Sequence, residues 1–307
     1  MFAQILKDYI KLIRLKHWVK NLFVFAPLIF SQFVTDIEKI KIEFLTFLAF
    51  SFVASATYII NDILDAESDR KHPIKRNRPI ASGRIKPGRA LFVVFCFLLA
   101  SIPIMSELPL RASALIVFYF LLMLAYSFSL KGVVLLDVFI IAFGFMLRVI
   151  VGAYSINVIV SKWLFITTLF LSLFLAISKR RMELFFSFQN RESQISEQRK
   201  VLDEYTLRFA DQMVTITASG AVISYALYTI SERTVSLFKT EALIYTTVFV
   251  LYGIFRYMYL IYRKNIGENP TDIILSDAPM LINILLWFVS CVIIIYRNKI
   301  FEVFSLN

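Results

Sequence analysis

Long apolar segments recur along the whole chain and alternate with mostly short polar ones. Each is long enough to cross the hydrocarbon core of a bilayer as an α-helix, which takes about 17 to 25 residues. The pattern therefore predicts an all-α polytopic membrane protein with about nine transmembrane helices. The predicted spans are residues 21–37, 43–61, 90–107, 111–130, 133–153, 160–178, 212–230, 241–262 and 280–297.

Two of the polar connections are long, and both follow even-numbered spans. They cover residues 62–89 and 179–211, and the polar body of the second, residues 187–212, is typical of a polar helix plus loop. No stretch rich in Gly, Ser or Pro separates one part of the chain from another. We therefore expect residues 1–307 to form a single transmembrane domain.

The charge distribution sets the expected orientation. Lys and Arg total 33 against 22 Asp and Glu, for a net charge of +11. In a soluble protein this excess would favour a nucleic-acid partner, whereas here the positive-inside rule accounts for it. The N-terminus and the connections after even-numbered spans hold 24 of the 33 cations, the opposite side holds 8, and Arg148 lies within a span. Both long connections are thus predicted to be cytoplasmic.

Acidic residues cluster where the second span ends. At 100° per residue, Asp62, Asp65 and Asp69 fall within about 60° of one another, with Asn61 beside them and Glu67 on the opposite side. Crowded carboxylates raise one another's pKa, and a divalent cation removes that cost. Oxygen ligands suit Mg²⁺, which also accepts substrate phosphates as ligands. Asn61 and the three aspartates are therefore candidate metal ligands.

A simpler interpretation of the same residues stays open. The acids could form a solvated helix terminus and pair with cations that follow them closely in the sequence, namely Arg70, Lys71 or Lys75.

A dense basic segment follows the acids. Lys75, Arg76 and Arg78 lie within four residues, and Pro79 with Gly83 predicts a turn directly after them. Arg matches phosphate geometry with two parallel hydrogen bonds, so a tight basic loop beside a metal site suits a substrate with several phosphates. These three cations are candidate substrate-binding residues.

Arg148 is the one cation placed deep within a predicted span. An ionisable residue inside the membrane is a functional hypothesis by default. It is a candidate substrate-binding residue that faces a polar cavity, and the alternative is a structural ion pair, for which Asp137 is the nearest candidate in the sequence.

The acidic pattern resembles the first motif of the UbiA-type intramembrane prenyltransferase superfamily, N-D-x-x-D-x-x-x-D. The resemblance implies nine helices around a central cavity that opens to the cytoplasmic side, a Mg²⁺ cofactor, and catalytic roles for the motif aspartates. A Tyr/Lys pair after the fourth helix is similar too. The matching residues are Asn61, Asp62, Asp65, Asp69, Tyr126 and Lys131.

Where the superfamily usually has a second Asp-rich motif, this chain has 178-SKRRMEL-184. Lys179, Arg180 and Glu183 stand there, so a cationic pocket is expected in place of a second metal cluster. Together with 14-RLKHWVKNLFVFAP-27 and 255-FRYMYLIYRKNIGENPTDIILSDAPM-280, this segment resembles the decaprenyl-phosphate phosphoribosyltransferase branch. Lys20 in the first of these stretches could reach the mouth of the site, or its neighbour Trp18 could only anchor the membrane interface.

That branch transfers 5-phosphoribose from phosphoribosyl diphosphate to a polyprenyl phosphate, for arabinose donors of cell-envelope polymers. The resemblance thus implies a multi-pass enzyme of a bacterial-type inner (plasma) membrane, with its active site facing the cytoplasm. The chemistry agrees, because a lipid phosphate is already anionic and needs no general base. Two rivals stay open: a UbiA-type prenyltransferase that acts on an aromatic or lipid acceptor, and a non-enzymatic transporter. A homo-oligomer is compatible with the sequence.

Overall fold

The computed structural model describes residues 2–72, 74–189, 204–264 and 270–305, and every regular element in this part of the chain is helical. Short 3-10 turns occur at Lys75–Asn77 and Leu130–Gly132, and longer non-α segments are described below. The α-helices are α1 Phe2–Leu12, α2 Ala26–Phe30, α3 Ile37–Leu64, α4 Ala66–Lys71, α5 Pro87–Ser106, α6 Leu110–Phe128, α7 Leu136–Ser155, α8 Lys162–Gln189, α9 Leu207–Ile230, α10 Glu232–Phe238, α11 Thr247–Tyr259, α12 Pro270–Ser276 and α13 Ala278–Ser305.

Eight helical segments within the described residues are long and apolar enough to cross a membrane. They correspond to the second to ninth predicted spans, which confirms an all-α polytopic membrane protein. The eighth is composite, because the 3-10 helix Ala242–Thr246 leads into α11 and α11 continues into the π-helix Leu260–Lys264.

The first predicted span, residues 21–37, takes a different form. The chain forms an 11-residue 3-10 helix, Leu15–Phe25, followed by the short α2. At about 2.0 Å per residue, 11 residues of 3-10 helix extend about 22 Å, against about 16 Å for an α-helix. Pro27 has no N–H to continue the hydrogen-bond ladder, which accounts for the change of helix type at Ala26.

The described residues form two compact units, and we describe each by itself. The first unit comprises Met1–Leu28, Asp36–Ile159 and Ser187–Tyr205. Its central helix is α3, whose buried face is rich in small residues that let neighbouring helices approach closely. These buried residues are Ala49, Ser51, Ala54, Ser55 and Ala56.

Two clusters of buried side chains form the core of this unit. One joins α3, α6 and α7 through residues such as Phe50, Ile116, Tyr119 and Leu147. The other joins α1, α3, α5 and the connection between α4 and α5, and comprises Leu12, Ala56, Ile59, Ala66, Ile80, Ile85, Ala90 and Val94. The second cluster packs the basic loop against the end of α3, which is where the candidate site lies.

Gly152 of α7 allows the 3-10 helix to pack closely. A Cβ atom at this position would lie 2.1 Å from the carbonyl oxygen of Val24, a distance that real contacts never reach. Only glycine therefore lets the backbone of Leu15–Phe25 come this near to α7.

The second unit comprises Ile29–Thr35, Val160–Phe186 and Thr206–Asn307. A buried polar network stabilises it, in which the Trp287 indole N–H donates to the Tyr225 hydroxyl over 2.9 Å and that hydroxyl bonds Thr246 over 2.7 Å. Buried apolar side chains surround the network, among them Phe238, Leu243 and Ile295.

The single-domain organisation stays a prediction. Most of the predicted polar segment 187–212 lies outside the described residues, because residues 190–203 are not among them.

Candidate functional site

The acidic motif lies at a break between two helices of the first unit. Helix α3 ends at Leu64, Asp65 has φ −88° and ψ 2°, and α4 begins at Ala66. The hydrogen bonds nevertheless keep the helical i to i+4 pattern, from the Asp65 amide to Asn61 (2.9 Å) and from the Asp69 amide to Asp65 (2.8 Å). The predicted helical arc therefore survives the break, and Glu67 is exposed as expected.

Two of the motif carboxylates converge on one atom. The Nη1 atom of Arg78 lies 2.9 Å from Oδ1 of Asp62 and 2.6 Å from Oδ2 of Asp69. Both aspartates are buried, at 3% and 4% exposure, so they cannot rely on water to stabilise their charge. Burial raises the pKa of the Asp69 carboxyl, and the charge of Arg78 opposes that rise.

A second guanidinium, from the segment between α1 and the 3-10 helix, reaches the same cluster. Nη2 of Arg14 also binds Oδ1 of Asp62, and its guanidinium lies over the Tyr58 ring, 5.0 Å from the centroid. Arg14 directly precedes the 3-10 helix and has left-handed backbone angles, φ 54° and ψ 46°. This bend between α1 and the 3-10 helix turns its side chain toward the acids.

The third aspartate has its own partners. Asp65 accepts a hydrogen bond from Nδ2 of Asn61 (2.8 Å) and forms an ion pair with Lys131. The Asn61 amide therefore orients Asp65 in this structure. The role of Asn61 as a metal ligand stays a prediction. Lys131 was predicted from the resemblance, and the structure brings it to the acidic motif.

The nearby pairing considered from the sequence describes only part of the charge balance. The acids form ion pairs with Arg14, Arg78 and Lys131, and the charge of Lys75 also opposes the rise in the pKa of Asp69. Arg70 instead donates to the carbonyl oxygen of Ala81 (3.2 Å).

The basic loop is held by its backbone. Gly83 has φ +76°, which favours glycine, and the Ile85 amide donates to the Pro79 carbonyl over 3.0 Å. The predicted turn is thus confirmed. Ile80 and Ile85 are buried in the core of the unit, which fixes the loop so that the side chain of Arg78 reaches the acids.

The other loop cations differ in burial and in their partners. Lys75 is half-buried and Arg76 is exposed. Arg84, which the sequence did not single out as a site residue, bonds the buried Asp8 of α1 over 3.0 Å.

The donor set fits a divalent cation. Mg²⁺ takes oxygen ligands at about 2.0–2.1 Å and keeps several waters or phosphate oxygens. Oxygens of Asp62 and Asp69 already face one point, and Asp65 lies on the adjacent turn. Within the described part of the chain, no three His, Cys, Asp or Glu side chains are arranged to hold a metal by themselves. These residues would therefore supply part of the ligand shell, and substrate and water would complete it.

Arg148 is buried inside the first unit, at 3% exposure. It donates to the Asn21 side chain (2.7 Å), the Gly144 carbonyl (2.6 Å) and the Tyr119 hydroxyl (3.2 Å). The suggested ion pair with Asp137 is wrong, because no carboxylate of the described residues lies within ion-pair distance of Arg148.

Asp137 is engaged elsewhere. The Tyr205 hydroxyl donates to its Oδ1 atom over 2.9 Å and accepts from the Leu135 amide over 2.8 Å. This contact holds the start of α7, close to the 3-10 turn that carries Lys131.

Two further candidates, Lys20 and Tyr126, lie in the first unit. Lys20 lies in the 3-10 helix and Tyr126 in α6, and both are half-buried. Their substrate-binding roles stay predictions. Next to Lys20, the buried Asn21 donates to Ser51 (2.9 Å) and so joins the 3-10 helix to α3.

The second unit holds the cationic segment of α8. Arg180 is buried and pairs with Glu183, while Lys179 is 40% exposed at its side chain and lies 3.9 Å from the same carboxyl group. All three roles suggested by the sequence, for Lys179, Arg180 and Glu183, stay predictions.

Arg181 is the residue in this segment that the sequence reasoning missed. It is buried, bonds Asp211 (3.0 Å) and the Ile261 carbonyl (3.2 Å), and lies 4.2 Å from the centroid of the Tyr262 ring. Tyr262 in turn donates to Asp211 over 2.9 Å. Its partners Asp211 and Ile261 are 30 and 80 residues away in the chain, so the local spacing of residues gave no signal for these contacts.

The chain is similar in sequence to known proteins. The chain is 31% identical to uncharacterized protein y4nM of Sinorhizobium fredii over 94% of its own length, and it spans about half (54%) of that protein. It is 32% identical to a decaprenyl-phosphate phosphoribosyltransferase of Mycolicibacterium smegmatis, over 91% of this chain and 89% of that protein.

The fold is also that of a solved structure. The UbiA homolog from Archaeoglobus fulgidus bound to GPP and Mg²⁺ matches with a TM-score of 0.69 at 17% identity, over 94% of this chain and 99% of that one. A model of the UbiA prenyltransferase family matches residues 24–295. This multi-pass membrane protein is therefore a transferase that belongs to the UbiA prenyltransferase family.

Proposed function

We propose that the chain transfers 5-phosphoribose from phosphoribosyl diphosphate to a polyprenyl phosphate of the decaprenyl type and releases diphosphate. The observation that carries this proposal is the cationic segment of α8, Lys179 to Arg181, at the place of a second acidic motif. The acceptor and the donor each carry a phosphate besides the leaving group. Cationic side chains suit the negative charge of these two phosphates better than a second metal site does. The 32% identical phosphoribosyltransferase of M. smegmatis supports the same assignment.

The acidic cluster would bind the leaving group. Asp62 and Asp69, with Asp65 beside them, would hold Mg²⁺, which when bound stabilises negative charge on the diphosphate. The A. fulgidus homolog, which has the same fold, was solved bound to GPP and Mg²⁺, and this supports a metal-bound diphosphate here. Lys75 and Arg76 of the adjacent loop would bind phosphate oxygens that the metal does not.

The reaction needs few changes in bonding. A phosphate oxygen of the acceptor forms a bond to C1 of the ribose, and the bond from C1 to the diphosphate oxygen breaks with its electron pair going to diphosphate. No proton moves, because the acceptor is already anionic. We therefore assign no general base. The carboxylates of the motif act on charge and orientation, and attack from the face opposite the leaving group inverts C1.

Lys179 is the cation of α8 that we assign to a substrate phosphate. Its side chain is 40% exposed, whereas Arg180 is buried against Glu183 and Arg181 against Asp211. The 5-phosphate of the donor and the phosphate of the acceptor are both suitable ligands for an ammonium group.

The orientation follows from the charge asymmetry. We place the acidic cluster on the cytoplasmic side of a bacterial plasma membrane, where the water-soluble donor is available. The product would serve arabinose donors for cell-envelope polymers.

A prenyltransferase is the second candidate, favoured by the prenyl diphosphate in the homologous structure from A. fulgidus. It would use the same acidic cluster for the diphosphate of the prenyl donor. It would then need a base to remove a proton from an aromatic acceptor, and the three motif aspartates are all in ion pairs.

One experiment separates the two. Purified protein in nanodiscs is incubated with labelled phosphoribosyl diphosphate plus polyprenyl phosphate, and in parallel with a prenyl diphosphate plus 4-hydroxybenzoate. We expect a labelled lipid product and Mg²⁺-dependent release of diphosphate in the first reaction only. A prenylated aromatic product, with no product from phosphoribosyl diphosphate, would replace the proposal by its rival.

A further inference from the structure

We propose that Arg78, assisted by Arg14, competes with the divalent cation for the motif carboxylates and moves to the diphosphate when the metal complex binds. This inference rests on the metal and diphosphate part of the proposed function. It does not depend on whether the donor carries phosphoribose or a prenyl group.

The first argument is geometric. Nη1 of Arg78 lies within 3 Å of a carboxylate oxygen from Asp62 and of one from Asp69. An ion held by both oxygens at about 2.0–2.1 Å would have to lie in nearly the same place. The guanidinium nitrogen and the metal are therefore alternative occupants of one position.

The second argument is that Arg78 can leave without disturbing the loop. The side chain of Arg78 is 27% exposed, whereas the side chains of Asp62 and Asp69 are only 4% and 6% exposed. The loop backbone is held independently by the Ile85 to Pro79 hydrogen bond and by buried Ile80. The side chain can thus rotate outward while the backbone keeps its position.

Arg14 has a second interaction besides its ion pair with Asp62. Its guanidinium already lies over the Tyr58 ring, so a cation–π contact remains after the ion pair with Asp62 is weakened. Both guanidiniums would stay beside the metal, where a diphosphate can accept hydrogen bonds from them.

The third argument is charge balance. Three motif aspartates are paired with three cations, Arg14, Arg78 and Lys131. A divalent ion entering alone would leave this half-buried cluster with excess positive charge. A diphosphate that enters with the ion supplies the missing negative charge. Metal and diphosphate should therefore bind with positive coupling, each raising the affinity for the other.

The test measures binding rather than activity. Mn²⁺ is titrated into full-length protein in nanodiscs, with free Mn²⁺ followed by electron paramagnetic resonance, in the absence and presence of inorganic diphosphate. The variants are Arg78→Gln and Arg78→Lys. The matched control is Arg84→Gln, since Arg84 belongs to the same basic segment but pairs with Asp8.

We expect Arg78→Gln to bind Mn²⁺ alone about tenfold more tightly than the unaltered protein, because a competitor is gone. It should also lose most of the additional tightening that diphosphate produces. Arg78→Lys should fall between the two, and Arg84→Gln should match the unaltered protein. A purely structural Arg78 would weaken both affinities together, so unchanged or weaker Mn²⁺ binding in Arg78→Gln and Arg78→Lys overturns the inference.

Asp62→Asn tells the two possible failures apart. If Asp62→Asn binds Mn²⁺ with diphosphate as well as the unaltered protein does, the metal site of the proposed function is wrong. If Asp62→Asn loses binding while Arg78→Gln does not gain it, the metal site stands and only the exchange is wrong.

Discussion

The acidic motif of the first unit and Glu183 of the cationic segment in the second unit differ in how their ion pairs are built. Asp62 and Asp65 bind Arg14 and Lys131, which are 48 and 66 residues away in the chain. Glu183 binds Lys179 and Arg180, which are four and three residues away on the same helix.

This difference distinguishes ion pairs that need tertiary structure from ion pairs that a single helix can form. Ion pairs at i,i+3 and i,i+4 form in any stable helix and contribute a few tenths of a kcal/mol. Ion pairs between distant segments form only after the core has brought those segments together. The acidic cluster is therefore a product of the whole first unit, while the pairs of Glu183 belong to α8 alone.

The largest effect is expected when one acid of the acidic motif, whose ion-pair partners are distant in the chain, is neutralised. Asp62→Asn should reduce turnover by about 1,000-fold or more, because transition-state charge stabilisation by a bound metal is worth several kcal/mol. Turnover is measured as diphosphate released from the labelled donor. Glu67→Gln, an exposed acid on the same helical segment, is the matched control and should retain activity. Full activity in Asp62→Asn would remove the metal-site proposal.

The next largest effect is expected in the second unit and concerns stability. Arg181→Leu removes the contacts with Asp211 and Ile261 and should lower the free energy of unfolding by about 2 kcal/mol. Thermal unfolding in detergent, followed by labelling of buried Cys291, reports this change. The exposed Arg263→Leu is the control. Equal melting temperatures for the two variants would contradict a structural role for Arg181.

Lys179→Ala tests whether the exposed member of the cationic segment binds substrate. We expect KM for one of the two substrates to rise about tenfold, or about 1.4 kcal/mol, with little change in kcat or in melting temperature. Lys239→Ala, at the other end of the second unit's helices, serves as the control. Unchanged KM values for both substrates would mean that Lys179 does not contact phosphate.

The smallest effect is expected from Tyr205→Phe. It deletes the hydroxyl that bonds Asp137 and the Leu135 amide and should cost about 1 kcal/mol of stability. Tyr154→Phe, an exposed tyrosine, is the comparison. A melting temperature that falls no further in Tyr205→Phe than in Tyr154→Phe would show that the contact adds nothing.

The sequence predicted the features that depend on the bilayer or on local spacing. Eight spans follow from apolar length, the acidic arc from helical periodicity, and the turn at Gly83 from the conformational freedom of glycine. Each of these rests on an interaction that acts within about one helix length.

Features that depend on distant backbone contacts were not predictable in the same way. The packing of Leu15–Phe25 involves a close approach of Val24 to Gly152, more than 120 residues later in the chain. Arg14 and Asp62 are 48 residues apart, and nothing in the sequence distinguishes Arg14 from the other cations of the basic N-terminal segment. The sequence suggested Asp137 as the partner of Arg148 because the two are close in the chain. In the structure Asp137 instead accepts a hydrogen bond from Tyr205.

The balanced charges of the acidic motif have a consequence for how the protein folds in the cell. Carboxylates that carry their own counterions do not need magnesium for the helices to insert and assemble. Under the proposed function, folding and the loading of Mg²⁺ can therefore be separate events. We then expect protein produced under magnesium limitation to be folded in the membrane and to gain activity as soon as the ion is supplied.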